Sequence, residues 1–159
     1  MKKSHKSLLK NIFSVLAVVV FGFILLNLAF LFDFVYQTIA RGIIEYITPL
    51  EPGMNVPWFP PLMHFSFLIV IGIISWFILR SKLWKVLKAV YLCVPVVAVQ
   101  VTIGIFFYPN TLLVYSLGAL FCLGVVYYLH RTKKPWLYYF TTIFWPIVVA
   151  AYTLSGGEI

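Results

Sequence analysis

Charge is what this sequence has least of, and acidic charge above all. Only 10% of the 159 residues are charged and only four are acidic, whereas 63% are hydrophobic. Soluble domains carry about 25% charged residues, and a globule of this size has too little interior to bury so many apolar side chains. The composition therefore excludes an ordinary soluble domain and predicts an integral membrane protein.

Cysteine and the familiar catalytic and metal-binding motifs are also scarce. The two cysteines, Cys93 and Cys122, lie within apolar runs, and no CxxC or Cys/His spacing suited to zinc is present. No HExxH, GxSxG or paired-carboxylate spacing occurs either. The sequence identifies no catalytic residue, no metal ligand and no cofactor, so a non-enzymatic protein is favoured over an enzyme.

Five apolar runs are each close to the ~20 residues that a membrane helix needs. They predict helices at about 11–32, 62–79, 86–107, 111–130 and 136–154. Pro95 and Pro146 lie inside the third and the fifth run, where each removes a backbone donor and is expected to kink the helix. The whole chain, residues 1–159, is therefore predicted to be one all-α membrane domain, a bundle of five transmembrane helices.

The basic residues predict how this bundle is oriented. If the N-terminus is cytoplasmic, every lysine and arginine except Arg41 lies in an inner segment, and all four acidic residues lie outside. Basic residues in short cytoplasmic loops set topology. We therefore predict a multi-pass protein of the cell (plasma or inner) membrane, with a cytoplasmic N-terminus and an extracytoplasmic C-terminus. The same residues predict membrane lipids, and not nucleic acid, as partners.

The stretch that follows the first run, DFVYQTIARGIIEYI, has a polar residue at every fourth position: Asp33, Gln37, Arg41 and Glu45. A further crossing here would turn the two later basic loops outward. It would also carry Arg41 and Glu45 into the bilayer, at roughly 2.5–3.5 kcal/mol for such a charge. We therefore predict an amphipathic outer-surface helix at about 33–47, or a bent extension of the first span. With the proline-rich loop after it, this helix forms an extracytoplasmic segment at 33–61.

Polar residues within or beside the apolar runs mark candidate sites, because they are costly in a bilayer. Several fall in the outer halves of the predicted spans, beneath the 33–47 helix, and indicate a cavity that opens outward. We expect Asn27, Gln100 and His64 to line it together. The competing interpretation is that these groups make separate hydrogen bonds to other helices or to their own backbone. The candidate ligand-binding residues are Asn27, Asp33, Gln37, Arg41, His64, Ser66, Gln100, Ser116 and Trp145.

Three functions remain open at this point. The first is a non-enzymatic protein that binds an apolar or amphipathic small molecule, or a partner helix, in the outward-facing cavity. The second is an enzyme acting on a lipid or lipid-linked substrate at the outer leaflet, which requires His64 within hydrogen-bond or one-water reach of Asp33, Glu45 or Glu51. The third is an accessory subunit of a membrane complex, or a homo-oligomeric transporter or channel component.

The run WFPPLMHF, residues 58–65, opens the second predicted span. Its Trp-x-Pro-Pro-x-x-x-Phe spacing resembles the tryptophan-rich sensory/translocator protein family. The resemblance implies the binding of an apolar ligand such as a porphyrin or a sterol. It covers eight residues, and no tryptophan follows Phe65 at the expected position, so the chain is not assigned to that family.

Overall fold

The computed structural model describes the backbone of residues 2–47 and 59–154 and the side chains of residues 8–47 and 61–154. Over these ranges the chain forms helices and no strand, as the sequence predicts. In chain order they are α1 (Lys2–Ile47), α2 (Phe59–Arg80), α3 (Lys85–Tyr91), α4 (Cys93–Phe107), α5 (Thr111–Arg131) and α6 (Trp136–Leu154). Most of the predicted proline-rich loop, with Glu51, lies outside the described residues.

Five helical stretches are long and apolar enough to cross a membrane, and they match the five predicted runs. They are Leu8–Ile47, Pro61–Arg80, Lys85–Phe107, Thr111–Arg131 and Trp136–Leu154. Short connections join the last four of these stretches, so they alternate in direction. The basic residues of 80–88 and 131–134 consequently share one end of the bundle, here called the basic end. Asp33 and Glu45 lie toward the opposite end, here called the acidic end.

The first helix does not end where the sequence suggests. α1 is continuous over 46 residues, so the boundary predicted at residue 32 and the separate outer-surface helix at 33–47 are wrong. The alternative prediction, a bent extension of the first span, is correct in that the segment continues α1. No proline interrupts the segment, and two i,i+4 pairs stabilise it. The Gln37 side chain donates to Asp33 over 2.8 Å, and that of Arg41 donates to Glu45 over 2.8 Å.

The polar stripe of 33–47 divides between two environments. Asp33 and Gln37 are half-buried, and Asp33 faces His64 of α2. Arg41 and Glu45 are exposed, with 68% and 51% of their side chains accessible. The exposed polar face predicted for an amphipathic helix is therefore present only in the last turns of α1, while Asp33 and Gln37 are half-buried against the bundle.

The third predicted span consists of two helices, α3 and α4, which meet at Leu92. Pro95 has no N–H with which to bond the carbonyl of Tyr91 four residues earlier, and α3 ends at Tyr91. Pro146 lies inside α6 and does not end it. The sequence predicts a kink at both prolines. In the structure, one helix ends just before Pro95, whereas α6 continues through Pro146.

The helices pack around two clusters of buried side chains, one toward each end of the bundle. The cluster nearer the basic end contains Val18, Ala89, Val90, Leu92, Val96, Leu129, Leu137 and Tyr138. The cluster nearer the acidic end contains Leu26, Phe67, Ile71, Cys93, Val94, Val97 and Trp145. α1, α4 and α6 each contribute to both clusters, and α4 is the central helix because it contacts each of the other five described helices.

α1 approaches α4 and α6 closely at Gly22. A Cβ added at Gly22 would lie 2.7 Å from Cζ2 of Trp145, and the Cys93 thiol donates weakly to the Gly22 carbonyl, with Sγ and O 3.7 Å apart. Trp145 is only 3% exposed, and its indole Nε1 has no hydrogen-bond partner among the described residues. Packing therefore holds the ring in place, and this packing requires a glycine at position 22.

Lys88 ties the start of α3 to the end of α2. Its Nζ donates to the carbonyls of Leu79 over 2.8 Å and Ser81 over 2.5 Å, which lie where a helix leaves its last carbonyls without partners. The hydroxyls of Ser75 and Tyr91 are 3.2 Å apart and add a second link between α2 and α3. The two helices are thereby joined at the basic end.

We expect Gly22→Ala to destabilise the bundle, because the new methyl group overlaps the Trp145 ring. Overpacking typically costs about 1–3 kcal/mol, and the better helix propensity of alanine offsets about 1 kcal/mol. Gly124→Ala is the matched control, since no atom lies within 4 Å of a Cβ added there and only the gain in propensity remains. Denaturant unfolding in detergent micelles measures both. Equal midpoints for the two variants would contradict the contact.

Candidate functional site

Asp33 of α1 and His64 of α2 form a pair toward the acidic end. The His64 Nδ1 atom lies 3.7 Å from Asp33 Oδ2, which is too far for a direct hydrogen bond and within reach of a water-mediated contact. Only 19% of the His64 side chain and 15% of the Asp33 side chain are exposed. The structure thus brings together an acid and an imidazole that the sequence separates by thirty-one residues.

Neighbouring side chains fix this pair in position. Gln37 Nε2 donates to Asp33 Oδ2 over 2.8 Å, and the Tyr36 hydroxyl donates to Ser66 Oγ over 2.9 Å. Ser66 donates in turn to the carbonyl of Met63 over 2.8 Å. Positions 33, 36 and 37 share one face of α1, because spacings of three and four residues complete about one helical turn. This face joins α1 to the first turns of α2.

A small cavity lies beside the pair, between α1, α2 and α4. Its volume is about 30 Å³, which is room for one or two water molecules. Asp33, His64 and Thr102 contribute the polar side chains of its wall. The remainder is apolar and comes mainly from α1 and α4, for example from Leu26 and Val97. The cavity wall is therefore polar on the side of Asp33, His64 and Thr102 and apolar elsewhere.

One oxygen of the Asp33 carboxylate has no partner. Oδ2 accepts the bond from Gln37, whereas Oδ1 is buried and has no hydrogen-bond partner among the described residues. Leaving a buried acceptor unsatisfied costs about 1–3 kcal/mol, and more for a charged group. A donor placed in the cavity, such as water, a hydroxyl or an ammonium group, would remove that cost. The site is therefore suited to a hydrogen-bond donor.

Asn27 does not belong to this site. It is exposed, and its Nδ2 donates over 2.8 Å to the carbonyl of Phe23 in its own helix. Six residues separate it from Asp33, which places the two on different faces of α1. The expectation that Asn27, Gln100 and His64 line one cavity is wrong in this geometry, and the competing interpretation of separate hydrogen bonds describes Asn27.

Gln100 likewise makes a separate contact, between α4 and α5. Its Nε2 donates to the Gly118 carbonyl over 3.0 Å and to the Cys122 sulfur over 3.1 Å. A Cβ added at Gly118 would lie 2.5 Å from Gln100 Oε1, so the glycine allows the amide to reach the backbone of α5. The Gln100 side chain therefore links α4 to α5, and it does not line the Asp33 cavity.

The other candidates are distributed over the molecule. Asp33, Gln37, His64 and Ser66 meet at the pair described above. Arg41 is exposed and bonded to Glu45, and Ser116 is exposed on α5. Trp145 lines a separate apolar groove between α1 and α6. Tyr36 and Thr102 are not among the candidate residues, although Thr102 lies in the same outer half of its span as Gln100 and Tyr36 shares a helix face with Asp33 and Gln37.

The described residues contain no group of three or more His, Cys, Asp or Glu side chains that could hold a metal ion. Asp33 and His64 supply only two such groups. Cys93 and Cys122 are both free thiols, and Cys122 serves as an acceptor for Gln100. The polar groups that the described residues bring to the site are the Asp33 carboxylate, the Gln37 carboxamide, the His64 imidazole and the hydroxyls of Tyr36, Ser66 and Thr102.

We expect Tyr36→Phe to lower the free energy of unfolding by about 0.5–1.5 kcal/mol, the net value of a typical hydrogen bond. The variant loses the bond to Ser66 and keeps the ring that packs against Phe67 at a centroid distance of 5.9 Å. Tyr46→Phe is the control, since Tyr46 is 90% exposed. Denaturant unfolding of both variants measures the difference. A Tyr36→Phe midpoint equal to that of the control would rule out a stabilising bond.

Comparison with known proteins provides no relative for this chain. No family model, no curated protein and no solved structure matches it. The resemblance of residues 58–65 to the tryptophan-rich sensory/translocator proteins therefore remains confined to those eight residues. Any function assigned to the chain has to come from the geometry of its own residues.

Proposed function

We propose that this chain is an integral protein of the cell membrane, with a cytoplasmic N-terminus and an extracytoplasmic C-terminus. Five helices of sufficient length and hydrophobicity support the membrane placement, and the collection of basic residues at one end supports the orientation. The acidic end then faces the extracytoplasmic side. Asp33 shares its cavity with Thr102, five residues before α4 ends at Phe107, which is about 7.5 Å along the helix.

Within this frame the protein binds an amphipathic molecule whose head group donates hydrogen bonds, such as an amine or an alcohol. The observation that carries the proposal is the buried, unpartnered Oδ1 of Asp33 on the wall of a cavity with an apolar floor. The head group donates to Asp33, and His64 lies beside it. The apolar part of the molecule packs against exposed apolar side chains beside the cavity, such as Phe30.

The small size of the cavity determines which part of the ligand is recognised. A volume of about 30 Å³ admits the donor group itself, whereas pockets that enclose drug-sized ligands measure about 300–1,000 Å³. The hydrocarbon chain of the molecule therefore lies outside the cavity, against exposed apolar side chains of α1. Selectivity then depends on the head group far more than on the length of the tail.

We expect purified protein to retain dodecylamine more than dodecanol, and dodecanol more than dodecanoate, when native mass spectrometry reports the bound probe. Asp33→Asn should lower dodecylamine retention by about ten- to one-hundredfold, because a hydrogen bond to a charged group is worth about 1.5–3 kcal/mol. Glu45→Gln is the matched control, a carboxylate of the same helix that is 51% exposed. Equal losses in both variants, or no loss in Asp33→Asn, would refute the proposal.

A second candidate function is acid–base chemistry on a lipid or lipid-linked substrate. The 3.7 Å separation of His64 Nδ1 and Asp33 Oδ2 favours it, since it meets the distance requirement for this hypothesis. Asp33, bonded to Gln37, would orient His64 as a general base. Incubation with a total lipid extract tests it by mass spectrometry. Products that disappear in His64→Gln favour the enzyme, and unchanged lipids with retained dodecylamine favour the binding protein.

A further inference from the structure

Asn27 is an exposed carboxamide on the outside of the bundle, level with the middle of α4. Two contacts establish this level. Gly22 lies beside Cys93, the first residue of α4, and Asp33 shares a cavity with Thr102, near the other end of α4. Asn27 lies between them on α1, and α4 belongs to the candidate span Lys85–Phe107. With the membrane placement proposed above, Asn27 faces hydrocarbon near the middle of the bilayer.

The carboxamide keeps unused hydrogen-bonding capacity at this depth. One N–H of Nδ2 donates to the Phe23 carbonyl over 2.8 Å, which leaves the second N–H and the Oδ1 acceptor for another partner. Lipid acyl chains offer neither a donor nor an acceptor. Polar side chains in membrane helices are accordingly found in contact with other helices, whereas Asn27 is exposed and, among the described residues, hydrogen-bonds only within α1.

Asn27 lies on a seam of exposed residues with the spacing of a coiled coil. Val20, Ile24, Asn27, Leu31 and Phe34 follow one another at intervals of four, three, four and three residues, and all are exposed. This alternation brings residues to one stripe when two helices supercoil around each other. Asn27 occupies a d position of this repeat, and asparagine side chains hydrogen-bond across helices in membranes. The stripe thus has the pattern of a helix–helix interface.

We propose that this seam, residues 20–34 of α1, binds the same seam of a second copy of the chain. Two copies inserted in the same orientation are related by a two-fold axis along the membrane normal, so each Asn27 meets its counterpart at the same depth. The second Nδ2–H of each copy donates to Oδ1 of the other. A carboxamide has both a donor and an acceptor, so two copies of it can bond to each other. The two-fold axis places the Asn27 of one copy opposite the Asn27 of the other.

The charged end of α1 is compatible with such a dimer. Arg41 lies on the same stripe, fourteen residues beyond Asn27, and would face its own counterpart across the axis. Its charge is compensated by Glu45 in the same chain, with 2.8 Å between Nε and Oε1. The seam therefore continues to the acidic end without placing two uncompensated charges against each other.

The test measures the association of fluorescently labelled copies in vesicles of phosphatidylcholine and phosphatidylglycerol. Energy transfer between the labels reports association while added lipid dilutes the protein. Asn27→Leu keeps the size of the side chain and removes the amide. We expect it to raise the protein-to-lipid ratio needed for half-association by about tenfold. Phe21→Leu, an exposed position about a quarter turn from the seam, is the matched control and should leave association unchanged.

Cysteine crosslinking provides a second readout that does not depend on removing Asn27. Leu31→Cys, on the seam, should crosslink two copies, and Leu28→Cys, exposed but off the seam, should not exceed the wild-type background from Cys93 and Cys122. Among the described residues Asn27 hydrogen-bonds only to its own helix and does not line the Asp33 cavity, so Asn27→Leu should retain dodecylamine normally. The proposal is overturned if wild-type protein stays monomeric, if Asn27→Leu associates as well as wild type, or if Leu31→Cys crosslinks to a different protein in native membranes.

Discussion

The contact of Gly22 with Trp145 and Cys93 sets the rotation of α1 about its own axis, and this rotation decides where the polar groups of α1 lie. Positions 22, 26, 29 and 33 share one face, because their intervals of four, three and four residues follow the helical turn. Asp33 is thereby carried toward α2 and α4, whereas Asn27 is turned away from the bundle. One packing contact separates a polar site inside the protein from a polar group on its surface.

The number of helical stretches long enough to cross a membrane was predictable from the sequence, because the length of an apolar run corresponds directly to the length of a membrane helix. The end of α1 was not, because Asp33 and Gln37 change the polarity of the segment without interrupting its backbone hydrogen bonds. The rotation of α1 was equally out of reach, since apolar residues surround Asn27 on every side of the helix. For this reason the sequence grouped Asn27 and Gln100 with His64, although each of the three makes a different contact.

The two oxygens of the Asp33 carboxylate have unequal surroundings, and this inequality combines a structural and a chemical role in one residue. Oδ2 accepts the Gln37 amide and faces His64, so it belongs to the framework that joins α1 to α2. Oδ1 has no hydrogen-bond partner among the described residues. A molecule that bonds to Oδ1 can therefore exchange without breaking the framework, which is the arrangement that reversible binding requires.

The side-chain hydrogen bonds that hold α2 to its neighbours differ in strength between its two ends. At the basic end, α2 is joined to α3 by two hydrogen bonds from a charged amine, of a kind worth about 1.5–3 kcal/mol each. At the acidic end it is joined to α1 by the neutral bond of Tyr36 to Ser66, of a kind worth about 0.5–1.5 kcal/mol. The helix of 22 residues is about 33 Å long, and it also packs against α4 through Phe67 and Ile71. His64 therefore lies at the end of α2 where the hydrogen bonds to neighbouring helices are weaker and where packing on α4 and α1 holds the helix in place.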